Sequence, residues 1–105
     1  MPDVTNAGRR YKPNVIMLTK IRYQGYAPNA SEHLESEAKI NQVQKRVPEG
    51  SAVIAMVESD GREYCCTIDV FLEKKSVYTS SIGSSLSLAV SQAVDSIQNK
   101  LEGVS

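Results

Sequence analysis

The alternation of apolar and polar positions is clearest between Ser51 and Leu101. Ser51 to Glu58 is a mostly apolar run, followed by the turn residues Ser59-Asp60-Gly61-Arg62. From Tyr64 the chain alternates. Tyr64, Cys66, Ile68, Val70 and Leu72 fall on one face of an extended strand, and Glu63, Cys65, Thr67, Asp69, Phe71 and Glu73 on the other. One face of this strand is expected under helices and the other in water. Asp60-Gly61 between two apolar runs is a strong hairpin signal. After the turn Glu73-Lys74-Lys75-Ser76, a short third run, Val77-Tyr78-Thr79-Ser80, leads through Gly83 into a helix. In that helix Leu86, Val90, Ala93, Val94, Ile97 and Leu101 recur at spacings of three and four and make one apolar stripe. Ser84 or Ser85 is placed to cap its start, and Gly103 stands where a left-handed stop is expected.

Upstream, Asn14 to Tyr23 reads as a first strand. Both of its faces are partly apolar, so parity does not say which is buried. Gln24-Gly25-Tyr26-Ala27-Pro28 breaks the pattern. Asn29 with Glu32 three residues later is a capping-box signal for a helix from Ala30 to about Arg46, halted by Pro48 and Gly50. Early Glu32, Glu35 and Glu37 and late Lys45 and Arg46 suit the helix dipole. This helix is the weaker amphipath: Leu34 and Ala38 lie on one side, and Ile40, Val43 and Val47 roughly opposite with His33. The order strand, helix, strand, strand, strand, helix predicts an α+β two-layer sandwich. Its four-stranded, mostly antiparallel sheet would carry two helices on one face.

At 105 residues a single domain is expected, with residues 1–12 a flexible tail and 13–105 the domain. Twelve basic side chains balance twelve acidic ones. No global field therefore draws the chain to nucleic acid, and any such role must rest on a local patch. No apolar run is long enough to span a membrane, and no apolar segment precedes the N-terminal basic cluster as a secretory signal would have it. Cys65 and Cys66 are adjacent, face opposite sides of a strand, and are poorly placed to bridge each other; a reducing cytoplasm fits them. The one histidine, His33, has no catalytic companion at a recognisable spacing. No metal-ligand set or phosphate-cradling glycine loop is present, so no enzymatic activity, cofactor or metal is expected.

Binding is the remaining class. Ile21-Arg22-Tyr23-Gln24 with Ala27-Pro28-Asn29-Ala30-Ser31-Glu32-His33-Leu34-Glu35 resembles the first strand and helix start of the ribosome hibernation-promoting factor family, also called the sigma-54 modulation or ribosome-associated inhibitor family. Val57-Glu58, Arg62-Glu63-Tyr64 and Thr67-Ile68-Asp69-Val70 resemble its central hairpin, and Leu88 to Leu101 its last helix. The resemblance covers about residues 14 to 102 and corresponds to the short form. It implies a βαβββα fold and a cytoplasmic, ribosome-associated protein that binds the small subunit where messenger and transfer RNA would lie and restrains translation, as in the stress response of bacteria. It also implies basic residues along the helices and adjoining sheet as the contacts: Lys20, Arg22, Lys39, Lys45, Arg46, Lys74, Lys75 and Lys100. Such residues neutralise phosphates and set position without reading bases. Arg9, Arg10 and Lys12 with Tyr11 form the densest basic cluster and suit a phosphate backbone. The rival reading is a protein-interaction module, a homodimer through the sheet included. It would use Phe71, Cys65 and Thr67 on the open face, or a sheet edge.

Overall fold

The computed structural model describes residues 18–104. The expected tail over residues 1–12, with Arg9, Arg10 and Lys12, and the start of the first strand at residues 14–17 lie outside the described residues. The elements follow the expected order: β1 (Leu18–Gln24), α1 (Ala30–Gln44), β2 (Ala52–Ser59), β3 (Tyr64–Phe71), β4 (Ser76–Gly83) and α2 (Leu86–Val104). The sheet order is β1-β2-β3-β4. β1 and β2 are parallel, as strands joined through a crossover helix can be, and the two hairpins make the remaining pairs antiparallel.

Register sorts the side chains into two faces. Ile21, Ala55, Ile68 and Thr79 form one row toward the helices; Lys20, Ile54, Asp69 and Tyr78 form a row on the open side. The alternation expected for the middle strand holds: Cys66, Ile68 and Val70 are buried, and Phe71 is exposed. Burial also settles the parity of β1. Thr19, Ile21 and Tyr23 turn to the helices, and Lys20 and Arg22 to solvent. The stripe on α2 is buried throughout, with Ala89 added, and Ile97, Val90 and Ala93 are fully enclosed. Burying each large side chain of this stripe contributes roughly 1.5–3 kcal/mol. The buried polar side chain of β4, Thr79, is matched by Ser96 at 2.8 Å.

Both helix starts are built as expected. Asn29 Oδ1 accepts from the Glu32 amide at 2.8 Å, and the Asn29 amide donates to Glu32 Oε1 at 2.9 Å. The Leu88 amide donates to Ser85 Oγ at 3.2 Å, so Ser85 is the cap of α2. In the first hairpin Asp60 Oδ1 accepts from the amides of Arg62 and Glu63, and Gly61 takes φ +96°, open to glycine without strain.

Three expectations are corrected and one open point is decided. The helix α1 ends at Gln44, with Lys45 as its C-cap, so Lys45 and Arg46 stand just beyond the last turn. Of its two apolar sides the buried one is Ile40 and Val43, continued beyond the helix by Val47, while Leu34 is 62% exposed, because the sheet and α2 together reach only one flank. The third strand is not a short run: β4 extends over eight residues to Gly83, since Ser81 and Ile82 keep pairing with Cys66 and Cys65. Gly103 is not a stop; α2 continues through it to Val104 without a left-handed residue.

Candidate nucleic-acid interface

The basic residues picked from the sequence divide into three groups. Lys45 and Arg46 follow α1, and Lys74 and Lys75 form the tight turn between β3 and β4, closed by the Leu72 amide donating to the Lys75 carbonyl at 2.8 Å. These two segments meet at one end of the sandwich. They rim an apolar cup of about 360 Å³ whose floor is Val47, Pro48, Leu72 and Leu101, with Arg46, Lys74 and Lys75 around it and Glu73 among them. Lys45 turns the other way, to the groove between β1 and α1 beside Thr19, Glu37 and Gln44. Arg46 lies 3.7 Å from Glu102, both exposed, a contact too screened to hold the guanidinium back from a phosphate.

Lys20 and Arg22 make a second pair on the open side of β1, level with Ile54 and Met56 of β2. The third group is held by its own chain. Lys39 Nζ lies 3.1 Å from Glu35 and donates to Ser91 Oγ at 2.7 Å and Ser87 Oγ at 3.0 Å, bridging the two helices. Ser87 and Lys39 together hold the Glu35 carboxyl below its ordinary range. Lys100 Nζ donates to the Tyr78 carbonyl at 2.8 Å and sits 5.5 Å above the Tyr78 ring. The resemblance gave Lys39 and Lys100 the same standing as the other lysines; in the fold each also bonds long-range partners, at separations of 48, 52 and 22 residues.

At the opposite end of the sheet, Glu58, Asp60 and Glu63 cluster around the first hairpin beside Gln24 and Ile82. The neutral total thus conceals an uneven layout, with a more basic end where Arg46, Lys74 and Lys75 stand beside Glu73 and Glu102, and a more acidic end where Glu58, Asp60 and Glu63 stand beside Arg62. Inside that second end lies a tyrosine cluster the sequence did not announce. Tyr23, Tyr26 and Tyr64 meet edge to face at 5.7 and 5.4 Å, and the Tyr23 hydroxyl lies 2.9 Å from His33 Nδ1. His33 is therefore a boundary residue tied to β1. Burial raises the phenols of Tyr23 and Tyr26 above their ordinary value and pushes the Cys66 thiol up to about 12. Both cysteines are free, Cys66 buried and Cys65 half-buried, and no group of metal-ligating side chains occurs among the described residues.

With this geometry in place, comparison with solved structures is decisive for the architecture. The N-terminal domain of Thermus thermophilus Protein Y superposes with a TM-score of 0.70 over 82% of this chain and 96% of that one, at 15% identity. The fold is that of the Protein Y N-terminal domain. A ribosomal subunit interface protein from Coxiella burnetii matches equally, with a TM-score of 0.70 over 82% of this chain and 94% of that one, at 9% identity. No family model and no curated protein sequence matches the chain. The βαβββα sandwich expected from the sequence is thereby shown. Among the described residues no helix is long and apolar enough to cross a membrane.

Proposed function

We propose that this Protein Y-like domain associates with the ribosome in the cytoplasm, binding RNA of the small subunit through its basic end and restraining translation as a non-enzymatic hibernation-type factor. The observation that carries the reading is the fold match along 82% of the chain to two proteins, one of them a ribosomal subunit interface protein. The charge layout supports it. Arg46, Lys74 and Lys75 are exposed, stand at one end, and lie far along the sheet from the acidic hairpin; Lys45, also exposed, faces the groove between β1 and α1. Lys20 and Arg22 extend the contact onto the open side. Arg9, Arg10 and Lys12 belong to the same reading through their residue types. Lys39 and Lys100 act within the fold.

The contact is electrostatic and sequence-independent, so its strength falls with salt. Four phosphate contacts on single-stranded or loop RNA give a log–log salt slope of about −3. Sedimentation of cell lysate on a sucrose gradient tests the proposal. The protein should co-migrate with small subunits or monosomes at low salt and leave them at high salt. Reversing Lys45, Arg46, Lys74 and Lys75 to Glu should abolish co-migration while leaving the thermal melt intact. Absence of the wild-type protein from ribosomal fractions of starved cells, or a quadruple variant that still co-sediments, refutes the reading.

A further inference from the structure

The outer edge of β4 is unusual for an exposed strand. It runs eight residues, Ser76 to Gly83, with no proline and no acidic or basic side chain. Among the described residues its only strand neighbour is β3. Natural edges of this length are ordinarily broken by a lysine, a proline or a bulge, because a bare row of amides and carbonyls recruits another strand. Two of the largest exposed apolar side chains of the described chain, Tyr78 and Ile82, both 61% exposed, stand on this same strand.

The direction of the free backbone groups follows from the hairpin. The Lys75 carbonyl points to β3, where it accepts from Leu72, so alternation turns Ser76, Tyr78, Ser80 and Ile82 outward. The Tyr78 carbonyl, held from outside the sheet by Lys100, agrees. That carbonyl keeps a second lone pair, so Lys100 does not close the edge to a new donor.

We propose that the β4 edge pairs antiparallel with β4 of a second copy of this chain, about a two-fold axis through Ser80, to give a continuous eight-stranded sheet. This register places Tyr78 of each copy opposite Ile82 of the other and Ser80 opposite itself. All three side chains then share the open face, and all three residues offer outward amides and carbonyls, about six new hydrogen bonds in all. Charge selects the same arrangement. The antiparallel two-fold brings the basic turn Lys74-Lys75 of each copy to the end of the sheet where the acidic hairpin of the other copy lies. Glu63 stands next to the level of Gly83 and so two strand spacings, ~10 Å, from the level of Ser76 in the second copy. A parallel pairing would instead set like ends together. The absence of charge at Ser80 suits an isologous contact, because a charge on the axis would meet itself. A foreign partner of marked charge would find nothing on the strand to match it.

An edge contact of one strand pair is small and falls among the weak, transient interfaces. Association is therefore read at high concentration, by sedimentation equilibrium and by amide chemical shifts up to about 1 mM, near the weak limit of specific binding. The wild-type protein should dimerise, with the amides of Tyr78, Ser80 and Ile82 shifting with concentration and those of Thr79 and Ser81 still. Ser80→Lys and Ser80→Glu, each placing like charges about 5.5 Å apart at the axis, should each weaken the dimer roughly tenfold or more. Their equimolar mixture should restore it. Circular dichroism melts of the two variants confirm that the monomer stays folded after loss of the Ser80 contacts to Cys65 and Thr67. A wild-type monomer at the highest concentration overturns the proposal. So does a dimer that Ser80→Lys leaves intact or whose mixture shows no rescue, including one broken only by Phe71→Lys, which would move the contact to the sheet face.

Discussion

Gly83 is the tightest point between the sheet and α2, and replacing it by alanine tests that packing directly. A methyl group there would lie 2.7 Å from the Ala89 amide nitrogen, 3.1 Å from its Cα and 3.2 Å from the Leu88 carbonyl carbon. All three atoms are helix backbone and cannot rotate aside, so α2 must move off the end of β4 as a body. Overpacking of this kind costs about 1–3 kcal/mol. The alanine also narrows the unfolded ensemble, which offsets about 0.4–1 kcal/mol. The net loss is about 1–2 kcal/mol, which for a domain of this size lowers Tm by roughly 5–15 °C. Gly103→Ala is the matched opposite. Gly103 is helical and nothing stands within 4 Å of its missing Cβ, so alanine should raise stability by up to about 1 kcal/mol, less if the end frays. A left-handed stop at Gly103 would reverse that sign, at a cost of about 1–2 kcal/mol. Urea titration and thermal circular dichroism of the two variants beside wild type read both effects. A Gly83→Ala protein as stable as wild type would refute the close approach of β4 and α2.

The buried Cys66 thiol makes stability fall in alkali. Its folded pKa is raised to about 12, above the unfolded thiol near 8.5, so the unfolded chain releases the proton first. The favourable difference is whole below about pH 8.5 and is lost as pH rises toward 12, by up to about 1.4 kcal/mol per pH unit. Chemical denaturation between about pH 8.5 and 10 should show this slope in wild type and a flatter one in Cys66→Ala; equal slopes would count against it. Burial of the Tyr26 phenol steepens the loss at higher pH. Asn29→Ala removes the side-chain half of the capping box, the Oδ1 acceptor for the Glu32 amide, and should cost about 1 kcal/mol in urea, with Asn29→Asp recovering most of it. On ribosomal RNA, Lys74→Glu with Lys75→Glu should reduce the salt slope by about 1.4, whereas Lys39→Met should leave the slope unchanged and lower Tm through loss of its bonds to Glu35, Ser87 and Ser91. A slope equally altered by both changes would remove the distinction between basic end and helix bridge.

Much of the fold was legible because its signals are local. The stripe on α2, the Asn29-Glu32 box and Asp60-Gly61 are each decided within a few residues, by periodicity, by a cap bond and by a turn. The errors sit where local signals are thin. Ser81-Ile82-Gly83 carries no alternation of its own and becomes strand only through β3. Gly103 is as open to a helix as to a stop, and the helix wins. On α1, Leu34 and Ile40 are equally apolar in sequence, and only the position of the sheet and α2 decides which is core.

The candidate interface was half legible. The family resemblance and residue type selected all lysines and arginines but Arg62, and sequence cannot tell an ammonium facing solvent from one bonded across 48 residues. The chain by itself determined the order of elements, the caps and which face of β3 is dry, because these depend on neighbours three or four positions away at most. Only the tertiary structure decided that Lys74-Lys75 would join Arg46 at one end, that Glu58, Asp60 and Glu63 would stand at the other, and that β4 would lie outermost among the described strands. Those outcomes depend on contacts between residues far apart in the chain, whose pairing is fixed by strand register and helix packing together.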